Sequence, residues 1–158
     1  TGALGHGLPI AVGMAIASKI NKNKKHFFVV CGDGEINEGS IWEALLSASK
    51  HKLDNLTLLI DYNKLQSYGK ISDILNLEPL TDKFKSFNFK TFNINGHDIN
   101  EIESTLNKTL KTKNKPSVII CHTIKGKGIS VAEGNPSWHH RSFLEDDDLL
   151  KIERSLGN

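Results

Sequence analysis

Cysteine is scarce in this sequence of 158 residues: there are two, Cys31 and Cys121, far apart and each ending an apolar run. That excludes a disulfide framework or a cysteine-rich zinc site, and reads as buried thiols in a reducing compartment. Long hydrophobic runs are missing too. None approaches the roughly 20 residues of a membrane span, and no signal-peptide pattern precedes the first turn, so the expected location is the cytoplasm. Charge of one sign is also lacking: 20 basic against 18 acidic residues leave a net charge of +2. Bulk electrostatics therefore point to neither nucleic acid nor a membrane surface, and the lysine-rich run 22–25 reads as a solvated turn. An initiating Met is absent: Thr1-Gly2 leads straight into a glycine-rich turn, which reads as a fragment or a trimmed chain.

Two phosphate motifs fail in informative ways. Gly34-Glu35-Ile36-Asn37-Glu38-Gly39-Ser40 has P-loop glycine spacing, but Ser40-Ile41 stands where Lys-Ser/Thr is required. A dinucleotide fingerprint would need a third glycine where Asn37 stands. With Glu35 and Glu38 nearby, bare phosphate would be repelled, so an anion could sit here only with a cation between it and the carboxylates.

What is present is Gly32-Asp33-Gly34, followed 30 positions later (63 − 33) by Asn63. Each ends an apolar run that reads as a buried strand, 26–31 and 56–61, with a helical stretch, 40–52, between them. Strand, crossover helix and parallel strand need roughly 30 residues. Neighbouring parallel strands would bring Asp33 and Asn63 to one crevice at their carboxyl ends, where open α/β sheets bind ligands. Two oxygen donors on adjacent glycine-flanked loops suit Mg²⁺ bridging a diphosphate. The alternative is local: Asp33 closes its own turn and Asn63 bonds its own backbone.

The rest of the chain alternates in the same way. Helix 10–20, entered through Pro9, is apolar almost all round and is expected to be buried on several sides. Leu80, Phe84 and Phe87 mark a short amphipathic helix. Strand 90–94 precedes helix 99–112, which should bury Ile99, Ile102, Leu106 and Leu110. Strand 117–122 leads into a long loop, 123–142, rich in glycine, lysine and histidine; such loops are usually functional. Glu145 opens a last helix through Leu156, its acidic first turn complementing the helix dipole. The pattern implies a single α/β domain over 1–158, with a mostly parallel sheet and helices on both faces.

The runs Gly32-Asp33-Gly34-Glu35-Ile36-Asn37-Glu38-Gly39 and Leu59-Ile60-Asp61-Tyr62-Asn63-Lys64-Leu65-Gln66 resemble the thiamine-diphosphate motif, GDG followed after about 30 residues by Asn. Together with Thr1-Gly2-Ala3-Leu4-Gly5-His6-Gly7, and with Ile124-Lys125-Gly126-Lys127-Gly128 through Trp138-His139, they resemble the transketolase amino-terminal domain, above all the separately encoded amino-terminal subunit of split transketolases. The resemblance covers nearly the whole chain and implies a thiamine-diphosphate-binding fold. It implies Asp33, Asn63 and the Leu65 carbonyl as Mg²⁺ ligands, and Gly34 and the Glu35 backbone against the diphosphate. Gly2, Ala3 and Leu4 match the T-G-P-L-G-Q-G turn that packs on the cofactor; Ala3 replaces Pro and His6 replaces Gln, and neither change removes backbone contacts. His139 matches a histidine that reaches cofactor and substrate, with His140 beside it where the family usually has Gly. Glu38 matches a glutamate near the subunit interface, in a proton relay or simply favoured by the helix dipole. Lys125, Lys127 and Arg141 read as solvated loop cations, His97 and His122 as structural, and His26 and His51 as surface residues.

The resemblance also implies missing parts: the glutamate that activates the aminopyrimidine, from a pyrimidine-binding domain, and several substrate histidines ahead of the T-G-x-L-G turn. The expected function is thus the diphosphate half of a transferase. It would move a two-carbon ketol unit from a ketose phosphate to an aldose, active only with a pyrimidine-binding domain or subunit in a homo- or hetero-oligomer. Alternatives are a deoxyxylulose-phosphate synthase-like enzyme, a 2-oxoacid dehydrogenase E1-like component, or a catalytically silent assembly module.

Overall fold

The computed structural model describes residues 2–157, so Thr1 of the opening turn lies outside the described residues. Its centre is a parallel sheet of β1 (Phe27–Gly32), β2 (Leu56–Tyr62), β5 (Lys90–Asn95) and β6 (Ser117–His122), in the order β1-β2-β6-β5. β1, β2 and β6 read as short, largely apolar runs, as strands flanked by helices do, while the edge strand β5 alternates with lysine and asparagine. In β1 and β2 the register places Gly32 opposite Asp61. The two strands therefore end level, and the residues that follow them share one end of the sheet, as their spacing predicts.

Most of the core lies on one side of this sheet. Cys31, Leu56, Leu58, Ile60, Tyr62, Val118 and Ile120 point to that side at alternate positions. They meet Leu8, Ala11, Val12 and Ala15 of α1 (Gly7–Ile20) and Ile41, Ala44, Leu45 and Ala48 of α2 (Gly39–Lys50). A short hairpin, β3 (Leu65–Gln66) and β4 (Gly69–Lys70), and the single turn α3 (Ile71–Ile74) follow β2; none of the three is foreseen in the sequence pattern. Helix α4 (Leu80–Ser86) adds Leu80 and Phe84, the latter packed between Trp42 and Phe89. Right-handed crossovers running in opposite directions along the sheet place α5 (Ile99–Leu110) on the other side. Asp98 caps α5 by accepting from the backbone N–H groups of Asn100 and Glu101.

Two expectations are corrected. Helix α1 is not buried on several sides: Ile10, Gly13, Met14, Ala17 and Ile20 form an exposed stripe, with Met14 52% exposed. The sheet takes one face of the helix and α2 flanks it, leaving the third face bare. In α5 the buried positions are Thr105 and Thr109, not the ends of the apolar series; Ile99 is 76% exposed and Leu110 is exposed too. Threonine suffices there because Thr109 Oγ1 donates to the Leu106 carbonyl, 2.7 Å away, so its hydroxyl enters the interior satisfied. The second sheet face is covered only in part, and Val30 on β1 is 70% exposed. Helix α6 (Asp146–Ser155) closes the described chain with a capping box between Glu145 and Asp148, in keeping with its acidic start.

Phe84 is fully buried among aromatic rings. Phe84→Ala is expected to destabilise the chain by about 3–5 kcal/mol, whereas Tyr68→Ala, at a position 91% exposed, should change it by less than about 0.5 kcal/mol. Urea denaturation of the two variants checks both.

Candidate functional site

At the carboxyl ends of β1 and β2 lies a cleft of about 230 Å³, lined by Leu4, Asp33, Gly34, Glu35, Asp61, Asn63, Leu65, Gln66, Ser67, Lys125 and His139 among others. Its pivot is Asp33. The side chain is only 2% exposed. Oδ1 accepts the Gly34 N–H at 2.8 Å, and Oδ2 accepts the Lys64 N–H from the turn after β2. The backbone adds Asp33 N–H to the Asp61 carbonyl at 3.2 Å. Asp33 therefore closes its own turn and also ties the two turns together. Burial pushes its carboxyl up to about 6; the Lys64 and Gly34 backbone bonds and Lys125 oppose that rise, and Asp61 adds to it. The Lys125 charge on the cleft wall only partly compensates a carboxylate so placed.

Asn63 makes the local contacts its alternative reading foresaw. Oδ1 accepts from Leu65 N–H at 3.0 Å, and Nδ2 donates to Asp61 Oδ2 at 3.3 Å. Asp61 also accepts from Thr123 at the end of β6. Each carbonyl or carboxylate oxygen has a second lone pair, so the Asp33 and Asn63 side chains keep acceptor capacity beside the cleft, which Leu65 also lines. Gly34 lies close under Gln66: a Cβ there would stand 3.0 Å from Gln66 Oε1 and 3.1 Å from Gln66 Cβ, so a larger residue would press on that side chain.

The opening turn reaches the cleft through Leu4, while Gly2 and Ala3 are exposed. Two ties that the sequence did not reveal hold that turn. Gly5 N–H donates to Glu35 Oε1 at 3.0 Å, and Ser40 Oγ donates to the Gly5 carbonyl at 2.8 Å. Gly5 has φ +76°, and a Cβ on it would meet Ser40 Oγ at 2.5 Å and Glu38 Cβ at 2.7 Å. Only the positive φ and the close approach could have flagged it, and both need the fold. The Glu38 side chain is exposed at the start of α2 and does not line the cleft.

Of the paired histidines, His139 lines the cleft and His140 turns aside to Ser67. His139 Nδ1 is buried without a hydrogen-bond partner. Burial, then the Lys125 and His140 charges, hold its ring below the usual imidazole range. Lys125 faces the cleft, while Lys127 pairs with Glu133 and Arg141 with Asp148. His97 accepts from Ile124 N–H and His122 bonds Asn93, both structural ties. His26 is half-buried rather than a surface residue, bonded to Thr57 at 2.9 Å; His51 is exposed at the end of α2. Burial pushes the thiols of Cys31 and Cys121 up to about 12 and about 11.

A larger cavity of about 550 Å³ lies behind the Asn63–Leu65 turn, against Tyr62, Lys70 and Glu78. It is lined by neither Asp33 nor His139. Among the described residues no group of three or more His, Cys, Asp or Glu could hold a metal; a cation here would depend on amide and backbone oxygens. No helix is long and apolar enough to cross a membrane among the described residues.

Two outcomes follow from this geometry. The Asp33 carboxyl should titrate near pH 6 in the metal-free chain, followed by carboxyl ¹³C NMR with Asp33→Asn as the assignment control. Because the native value lies above the unfolded one, this group's contribution to stability is full below about pH 4 and is lost as pH rises through about 6. Gly5→Ala should cost about 1–3 kcal/mol, more than Gly13→Ala on the open face of α1, as read by thermal unfolding.

All of residues 1–158 match the family model described as "Transketolase, thiamine diphosphate binding domain". The chain is 47% identical to a subunit of the apulose-4-phosphate transketolase of Actinobacillus succinogenes, over 97% of this chain and 55% of that protein. It is 41% identical to the 6-deoxy-6-sulfo-D-fructose transketolase subunit SqwG of Clostridium sp., over 92% of this chain and 53% of that protein. The crystal structure of transketolase from Campylobacter jejuni superposes with a TM-score of 0.90 at 33% identity, covering 98% of this chain and 25% of that one. The chain thus spans about half the length of the subunit relatives and a quarter of the longer enzyme. With its parallel sheet, its GDG turn and its Asn63 turn all in the expected places, the chain belongs to the transketolase family, as a thiamine diphosphate-binding domain of the amino-terminal kind.

Proposed function

We propose that this chain supplies the diphosphate- and Mg²⁺-binding half of a transferase. The enzyme would move a two-carbon ketol unit from a ketose phosphate to an aldose, acting together with a pyrimidine-binding partner domain or subunit. The observation that carries this reading is Asp33: a buried carboxylate clasped between two turns, in a chain whose family binds thiamine diphosphate. Its raised titration favours a bound cation over a bare phosphate. Mg²⁺ takes near-octahedral oxygen ligands and few of them from protein; the Asp33 carboxylate, Asn63 Oδ1 and the Leu65 carbonyl would hold it. Gly34 leaves room for diphosphate at the turn, and the Lys125 ammonium adds positive charge on the cleft wall.

When bound, thiamine diphosphate supplies the carbon nucleophile that no protein side chain offers. His139 faces the cleft with a neutral ring and an unpartnered Nδ1, so it can accept or return a proton on a sugar hydroxyl, or donate to a diphosphate oxygen. Gly2 and Ala3 would approach the cofactor through the backbone of the turn that Leu4 continues. Glu38, outside the cleft, would act only across a subunit contact.

Two features support dependence on a partner. A cleft of 230 Å³ is smaller than the roughly 300–1,000 Å³ usual for a drug-sized ligand, so it suits the diphosphate end of the cofactor. The open stripe of α1 begins directly after the turn that carries Leu4, next to the cleft. Contiguous exposed apolar surface of this kind marks an interaction site. The two subunit relatives carry the names of different sugars, so family membership does not fix the sugar.

Calorimetric titration with thiamine diphosphate and Mg²⁺ tests the reading. Binding is expected for the parent and its loss in Asp33→Ala; no binding by the parent, even beside its partner, would overturn it. Binding should weaken as pH falls below about 6, because a protonated Asp33 cannot ligate the cation. With a ketose phosphate and an aldose but no partner, transfer should be undetectable; robust transfer by this chain alone removes the partner requirement.

A further inference from the structure

His139 stands in the cleft without a hydrogen bond of its own at Nδ1, so its orientation must come from packing. The ring beside it is His140, with centroids 4.6 Å apart and planes at 67°, an edge-to-face arrangement. His140 in turn bonds a residue of the β3–β4 hairpin. Its Nε2 lies 2.9 Å from Ser67 Oγ, a contact between residues 73 apart in sequence. Ser67 belongs to the turn between β3 and β4 and lines the same cleft as His139.

The remaining anchors of the His139 segment all lie on its own side. Asn135 Oδ1 accepts from Ser137 N–H at 3.1 Å and from Ser137 Oγ at 2.8 Å, which fixes the 3₁₀ turn Pro136–Trp138. The Arg141 guanidinium lies 5.1 Å from the centre of the Trp138 ring and pairs with Asp148 at the start of α6. Among the described residues, no hydrogen bond other than His140 to Ser67 joins 65–70 to 124–145.

The geometry points to the Ser67–His140 pair as a latch that sets the ring of His139 in the cleft, which makes His140 a positioning residue. It acts by edge contact: Ser67 fixes His140, and the His140 ring restricts the rotation of its neighbour. The hairpin, whose β3 and β4 form a two-residue ladder outside the main sheet, thereby gains a tie to the loop that carries His139. The value of the latch to catalysis rests on the reading of His139 under the proposed function; the latch itself is a property of this chain.

The test uses the whole chain with ¹⁵N-labelled histidine. Long-range ¹H–¹⁵N spectra report the tautomer and exchange of each ring, and backbone amide spectra report the sheet. In Ser67→Ala and His140→Ala, the His139 ring resonances should shift or broaden by exchange while the amides of β1, β2 and β6 stay unshifted; Ser67→Thr, which keeps the hydroxyl, should restore the parent pattern. A residue that only adds stability would lower the melting temperature and leave the His139 ring as it was, and that outcome overturns the latch. Titration with thiamine diphosphate and Mg²⁺ gives a second readout. Ser67→Ala and His140→Ala should bind about three- to tenfold more weakly, the size of one neutral hydrogen bond, and Ser67→Thr within about twofold of the parent. Unchanged affinity in both variants counts against the latch. If the parent itself binds no cofactor, the proposed function fails instead, and the ring spectra alone decide the latch: altered His139 signals uphold it and unaltered ones end it.

Discussion

One carboxylate organises this end of the molecule. Asp33 takes an N–H from its own turn and another from the turn after β2, so two loops that local sequence leaves independent become one surface. A buried carboxylate is unfavourable unless paired, and two neutral N–H donors offset only part of that penalty. The remainder shows as a carboxyl raised to about 6. At neutral pH the group is mostly ionised and under-compensated. That condition is relieved by a cation and worsened by a free anion. The same interaction therefore fixes the geometry of the turns and favours a cation over an anion beside them.

Other ties extend this surface. Glu35 and Ser40 grip both backbone polar groups of Gly5, which fixes the turn ahead of α1 against the start of α2. Asp61 takes Asn63 and Thr123, joining the ends of β2 and β6. The walls of the cleft are thus set by carboxylates accepting backbone or side-chain N–H and O–H donors across gaps in sequence of 30 residues or more for Gly5–Glu35, Asp33–Lys64 and Asp61–Thr123. Lys125 is the cleft's own cation, and its charge leaves Asp33 still raised.

The sequence made part of this legible. Parallel strands ending at Gly32 and Tyr62 follow from two apolar runs separated by a crossover helix, because strand and helix periods and the length of a βαβ unit are local properties. Asp33 and Asn63 therefore converge as their spacing predicts. The faces of α1 and α5 were not legible. An all-apolar helix says that something covers it, and not whether this chain does; Ile10 and Met14 stay bare here. In α5 the apolar series 99, 102, 106 and 110 is centred to one side of the stripe that meets the sheet, and tertiary placement chose Thr105 and Thr109 instead. Nor could the pattern separate His139 from His140. That choice depends on Ser67, on a hairpin whose two-residue strands are too short to show any period.

The distribution of burial then fits the idea of half a site. The Asp33 and Asn63 side chains, which would meet the cation, are held by hydrogen bonds internal to the chain. Beyond the cleft, the α1 stripe and the β1 face carrying Val30 remain apolar and uncovered. Leaving such surface in water forgoes about 25 cal/mol for each Å² that could be buried, and a monomer gains no stability from the exposure. Rigid polar geometry at the cleft beside bare apolar surface around it is the arrangement expected where a second body completes both the core and the reaction volume.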